Sequence, residues 1–229
     1  MNIVARLALV LAAAFLLAAR PPVALAAPLL LDFEGLPAMT YLTFNPVPAE
    51  ARLSTQFQDS HGVAFASEAP YVAVLNLGAA HATSGSNGIG GATAAGNLDY
   101  REDIELSFFV PGTAGAQDGL TDFVSVRGDL LGNDETMVTL WAYDATGTLI
   151  GSAAALDTGG IALTVALPGI RRAVISGAAL PGGDDGGVGF DDLSFNPVTP
   201  VPEPDAVGAA LAALGLSACG RRRIRSERA

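Results

Sequence analysis

Lysine is absent from this chain of 229 residues, and cysteine and tryptophan each occur once. Between residues 28 and 200 the only cations besides histidine are Arg52, Arg101, Arg127, Arg171 and Arg172, set against fourteen aspartates and six glutamates. A surface of that sign repels phosphate and releases no counterions from it, which excludes nucleic acid as a partner. It keeps the chain soluble and offers many hard oxygen ligands for cations. The single cysteine, Cys219, lies near the C-terminus, so the body of the chain folds without a disulfide, which a domain of this size does not need. Leu216-Ser217-Ala218-Cys219 spells a lipobox, but its positive charge follows the apolar run instead of preceding it. Histidine is nearly missing as well. His61 and His81 both sit in polar loops without metal-ligand spacing. No Gly-x-Ser-x-Gly nucleophile elbow occurs. The glycine-rich Ser84–Gly88 lacks the Lys-Ser/Thr of a phosphate cradle, and no helix follows it. Outside the two ends, no long stretch has helical period.

The ends are apolar and charged in a directional way. Met1–Ala26 reads as a secretory signal peptide: Arg6 before an apolar run from Leu7 to Ala19, then Ala24-Leu25-Ala26 as a small-x-small cleavage site. At the other end, Val201-Pro202-Glu203-Pro204 precedes Asp205, an uncharged run Ala206–Cys219, and the cluster Arg221, Arg222, Arg223 and Arg225. A helix rises about 1.5 Å per residue, so this run is short for a hydrocarbon core of roughly 30 Å, and snorkelling arginines extend it. Acid before the run and arginine after it match the helix dipole. Arginines just beyond a span predict a cytoplasmic C-terminus. The expected organisation is therefore a signal peptide at 1–26, a domain at 27–196, a proline-rich linker at 197–204 and a transmembrane helix with a basic tail at 205–229.

The tail resembles the PEP-CTERM sorting signal of Gram-negative bacteria, carried here by Val201, Pro202, Glu203 and Pro204, the apolar run, and Arg221–Arg223. The resemblance implies processing by an exosortase in a cell that makes exopolysaccharide. It also implies a transient stay in the inner membrane through the C-terminal helix, then release or attachment at the cell surface or in the extracellular matrix.

Between the ends, short apolar runs alternate with glycine-rich turns, which predicts strand after strand. Strands are expected at Leu29–Phe33, Gly62–Ser67, Tyr71–Leu77, Asp103–Val110, Asp122–Arg127, Ile161–Leu167, Arg172–Ser176 and Val188–Phe195. A hairpin is expected from Thr136–Tyr143 to Thr148–Ser152, turning at Asp144-Ala145-Thr146-Gly147. Ser84–Gly91, Gly112–Gly119 and Gly182–Gly187 read as turns, and Ala49–Gln58 as a turn or two of helix. About ten such strands predict an all-β fold, a β-sandwich of the jelly-roll type. The middle is also similar to the β-sandwich domains often found ahead of this sorting signal. The residues that carry this are Leu31-Asp32-Phe33-Glu34-Gly35-Leu36, Gly62-Val63-Ala64-Phe65, Ala142–Gly147 and Gly189–Phe195.

Two constellations stand out. If the first and last strands pair, Asp32 and Glu34 approach Asp191 and Asp192. Asp32 and Glu34 would share a strand face, whereas only one of the consecutive Asp191 and Asp192 would join them. Such carboxylates repel one another unless a cation lies between them, and Ca²⁺ takes six to eight oxygens in flexible geometry. Either these are solvated strand-end acids or they hold Ca²⁺ as a structural ion. In jelly-roll modules of similar sequence the acid after the apolar residue of the last strand is a calcium ligand, and the resemblance places that role on Asp191. Asp184-Asp185 and the acids around Leu131-Gly132 (Asp129, Asp134, Glu135) read as plain turns, as does Arg127-Gly128-Asp129. The second constellation is Trp141 with Tyr143, two residues apart on one strand face. Either they stack on sugar from an exposed face or that face is core, and core is the favoured reading. The function expected is a structural or carbohydrate-binding module without catalysis, with exopolysaccharide as a possible partner. The alternative is a polysaccharide hydrolase or lyase with two facing carboxylates.

Overall fold

A computed structural model of the chain describes residues 27–40, 45–131, 136–157, 159–179 and 187–202. The signal peptide expected at 1–26, the tail from Glu203 onward with Pro204, Arg221, Arg222 and Arg223, and the acids Asp134, Glu135, Asp184 and Asp185 lie outside the described residues. Among the described residues no helix is long and apolar enough to cross a membrane.

The described strands, numbered in chain order, form two main sheets. The five-stranded sheet runs β11 (Leu149–Asp157), β10 (Thr136–Tyr143), β13 (Arg172–Ala179), β7 (Ile104–Phe108), β4 (Val63–Ala66). The eight-stranded sheet runs β12 (Ile161–Val165), β9 (Val124–Leu130), β14 (Val188–Phe195), β6 (Asn87–Gly90), β5 (Val72–Asn76), β2 (Met39–Thr40). Its remaining members are β1 (Leu29–Leu31) on β14 and β3 (Arg52–Leu53) on β5. A two-stranded ribbon joins β8 (Gly119–Leu120) to β15 (Thr199–Pro200). The fold is all-β, two sheets enclosing a main core.

Period-two alternation builds that core. Thr136, Val138, Leu140 and Ala142 of β10 are buried, as are Ile104, Leu106 and Phe108 of β7 and Ile161, Leu163 and Val165 of β12. Side chains from both sheets meet in one cluster, where the Phe108 and Phe195 rings lie 5.4 Å apart. Each such side chain contributes roughly 1.5–3 kcal/mol by leaving water. β5 is a continuous apolar run because both its faces are covered. Val72 and Val74 enter the main core, while Ala73 and Leu75 pack into a second cluster with Val47, Leu77 and Leu98.

Four local differences from the expected pattern have physical reasons. Ser84–Gly91, expected as a turn, contains β6, a fully buried strand paired with both β5 and β14. Its glycines are there for space: a Cβ on Gly88 would lie 2.6 Å from the Phe190 carbonyl oxygen. Arg127-Gly128-Asp129, expected as a turn, lies inside β9, where Gly128 faces both Phe190 and Ile161. The helix expected over Ala49–Gln58 is a single 3-10 turn at Ala49–Ala51 and a single α-turn, α1 (Gln58–His61), closed by Gly62 at φ +79°. The start of the proline-rich linker is docked on the domain. Val198 is buried, and Thr199 and Pro200 pair with Leu120 and Gly119. The hairpin forms as expected, with Gly147 at φ +80° and the Asp144 amide donating to the Thr148 carbonyl at 3.0 Å.

Candidate functional site

Strand register places the candidate site. Because the even-numbered residues of β10 point inward, Trp141 and Tyr143 point outward and are half-buried. The core reading for this face is therefore wrong: small and branched residues on the opposite face fill the core, and the aromatics lie on the outer surface of the five-stranded sheet. Trp141 is in register with Val174, and Val174 with Glu105, so the three form a row across β10, β13 and β7. The next row is Tyr143, Arg172 and Ser107. Arg172 Nη1 donates to Glu105 Oε2 at 2.8 Å, and its guanidinium stacks over the Tyr143 ring at 4.2 Å. One face of Tyr143 is thereby covered.

Apart from Ser107, these rows form the floor of a cleft of about 480 Å³, walled by Ser67, Glu68, Arg101, Glu102 and Asp103. The wall is pinned by the backbone. Ser67 Oγ donates to the Asp103 carbonyl at 2.8 Å and accepts from the Ala92 amide at 3.0 Å, and Glu68 Oε2 accepts from the Ala94 amide at 2.9 Å. Burial pushes the Glu102 carboxyl above the usual range, and the charges of Glu68, Asp99 and Asp103 push it further. An indole floor with guanidinium donors and carboxylate acceptors around it suits a ligand with apolar C–H faces and many hydroxyls. Arg172, Glu105, Glu68 and Glu102 were missed in the sequence. Only the pairing of β4, β7, β13 and β10, distant in the chain, gathers them beside Trp141.

The acidic corner forms as expected in its strands and differently in its details. β1 pairs with β14, Leu31 opposite Leu193. β1 ends at Leu31, and Phe33 turns to φ +58°, so Asp32 and Glu34 do not continue on one strand face. Asp32 is exposed, and its Oδ1 accepts from the Glu34 amide at 3.3 Å. Glu34 Oε1 accepts from the Ser86 and Asn87 amides at 2.7 and 2.6 Å. Asp191 is fully buried. Its Oδ2 accepts from the Thr83 and Ser84 amides at 3.0 and 2.8 Å, and its Oδ1 from the Asp192 amide at 2.6 Å.

Both aspartates join this corner, contrary to the alternation argument. A bulge in β14 with Asp192 at φ +48° turns its side chain to the same loop, where Ser84 Oγ donates to Asp192 Oδ1 at 2.7 Å. Arg127 Nη1 stands 3.9 Å from Asp192 Oδ2. Burial pushes the Asp191 carboxyl up, against the amide hydrogen bonds that pull it down. The glycine-rich loop thus binds anions after all, and the anions are the protein's own carboxylates. Among the described residues no three Asp, Glu, His or Cys side chains converge on a metal position. The histidines stand apart: His61 packs edge-on to Phe57, and His81 Nδ1 lies 3.1 Å from Asp129 Oδ2.

No family model matches this chain, and no curated protein matches it. Among solved structures, the carbohydrate-binding module TmCBM61 in complex with β-1,4-galactotriose aligns over 69% of this chain and 99% of its own, with 15% identity and a TM-score of 0.37. The C-terminal family 22 carbohydrate-binding module of Clostridium thermocellum Xyn10B aligns over 68% and 99%, with 14% identity and a TM-score of 0.34. The CBM22-1 xylan-binding domain of Paenibacillus barcinonensis Xyn10C aligns over 69% and 93%, with 12% identity and a TM-score of 0.34. Likenesses this distant decide neither ligand nor activity.

Proposed function

We propose that this chain is an exported cell-surface or extracellular-matrix protein whose jelly-roll-type β-sandwich is a non-catalytic carbohydrate-binding module. The observation that carries the reading is Trp141, half-buried on the outer face of β10 and set in the floor of a polar cleft. A core has no use for an outward indole there, whereas a sugar ring stacks on it through its C–H face. Export rests on the two ends of the sequence. The signal peptide directs secretion, and an exosortase acts near Val201-Pro202-Glu203-Pro204. The C-terminal helix holds the chain in the inner membrane, with Arg221, Arg222 and Arg223 on the cytoplasmic side. The test is a glycan array probed with the full chain in detergent and with Trp141→Ala. Binding to a polysaccharide that the variant loses supports the module. Equal binding by both overturns it.

Calcium is part of the proposal as a structural ion at the acidic corner. The loop amides both fall on Oε1 of Glu34, and Asp32 is exposed. An ion there would have to draw Glu34, Asp32 and Asp192 together, since they do not converge as they stand, with Asp191 already bonded through both oxygens and holding the loop behind them. Water and backbone carbonyls would complete its shell. A melt of the full chain with and without chelator tests this, and an unchanged Tm sinks it.

One observation favours the alternative, a polysaccharide hydrolase or lyase. Glu102, its carboxyl pushed up, shares the cleft with Asp103 and Glu105, as a general acid would with its partner. Release of new reducing or unsaturated ends from a bound polysaccharide, lost in Glu102→Gln, would establish the enzyme. Bound polymer recovered at full length supports the module.

A further inference from the structure

We propose that the cleft over Trp141 selects glycans bearing protonated amino groups, such as a de-N-acetylated hexosamine polymer, over neutral and uronate-bearing ones. This rests on reading the cleft as a sugar site and adds the charge of the sugar. The cleft is lined by four carboxylates, Glu68, Glu102, Asp103 and Glu105, and two guanidiniums, Arg101 and Arg172. Arg172 is spent on Glu105 at 2.8 Å, and the pair presents little net charge. Three acids then share the wall with Arg101.

The Ala94 amide fixes Glu68 without neutralising it. The lining holds two more acids than arginines, and Glu102, pushed up first by burial, is pushed further by the charges of Glu68, Asp99 and Asp103. An ammonium group relieves that crowding, donates up to three hydrogen bonds to acceptor-only carboxylates, and is also attracted to the face of the indole. A uronate meets the reverse: like charge in the wall, and the field of a chain body with five arginines against twenty acids.

The test is calorimetric titration of the full chain in detergent with three oligosaccharides of equal length. They are glucosamine, N-acetylglucosamine and galacturonate oligomers, used at low and high salt where the amines are protonated. The glucosamine oligomer should bind about tenfold tighter than the N-acetylated one at low salt, with no measurable uronate binding. Added salt should narrow the ratio. Glu102→Gln combined with Asp103→Asn should narrow it as well, and Trp141→Ala should weaken binding about thirtyfold, which separates the cleft from general attraction to an acidic protein. Equal or tighter binding of the N-acetylated or uronate oligomer, weakened in Trp141→Ala, overturns the charge preference and leaves the sugar site standing. Amine binding that is unchanged in Trp141→Ala overturns the preference as a property of this cleft. If no oligomer binds and the glycan array is blank, the sugar site falls and the preference with it.

Discussion

The acidic corner at β14 and the acidic cleft over β10, β13 and β7 use the same side chains in different electrical settings. At the corner, Asp191 and Glu34 accept backbone amides from Thr83, Ser84, Ser86, Asn87 and Asp192, and these bonds close the loop onto the sheet. In the cleft, burial and the charges of Glu68, Asp99 and Asp103 push the Glu102 carboxyl up. Carboxylates answered by amides hold the fold. Carboxylates that share a cleft with an outward indole meet, under the proposed function, a ligand from solution.

Four changes would break or sharpen this contrast, taken from the largest effect to the smallest. Asp191→Ala removes a fully buried carboxylate that accepts from the part-buried amides of Thr83, Ser84 and Asp192, and it should lower stability by about 3 kcal/mol in denaturant melts, with glycan affinity of the folded fraction unchanged. Trp141→Ala should do the opposite. Its Tm should stay close to that of the parent, while affinity for an array-positive glycan falls by about 2 kcal/mol, the usual loss of a central aromatic. Comparable destabilisation by both variants would erase the distinction.

Gly85→Ala comes next. Gly85 has φ +57°, and a Cβ there would overlap the Glu34 carboxylate. The strain should cost roughly 1–2 kcal/mol in the same melts. No loss would mean that the loop is not clamped as described.

The smallest effect is pH-dependent. Glu102 has its folded pKa raised above the unfolded value, by burial first and neighbouring acids second. Its contribution to stability is therefore full below the unfolded pKa and lost as pH rises through the raised folded one. Glu102→Gln should raise Tm slightly at neutral pH and flatten the Tm–pH profile just above the ordinary glutamate range. A lower Tm at neutral pH would place a cation beside Glu102.

Much of the architecture could be read from alternation alone: β7, β12, the β10–β11 hairpin and β14 appear where period two predicts them, and β1 meets β14. β6 could not be read that way, because Asn87-Gly88-Ile89-Gly90 has the composition of a turn and becomes a strand only where Leu77, Leu75 and Phe190 leave no room for side chains. Trp141 was visible as an aromatic but assigned to the wrong face. The signal was in the same strand: Val138, Leu140 and Ala142 already supplied a full inward set. The cleft wall was illegible, since Glu68, Glu102 and Arg172 meet only through pairing of β4, β7 and β13. The bulge at Asp192 was equally hidden, and it undid the rule that neighbouring residues face opposite ways.

Trp141 is the only tryptophan in the chain, so its fluorescence reports on the cleft alone. Titrating the full chain in detergent with an array-positive glycan should give a saturable shift and change in intensity of Trp141 emission, with the same Kd as calorimetry. A glycan that binds by calorimetry and leaves the emission unmoved would place the site elsewhere and contradict the account.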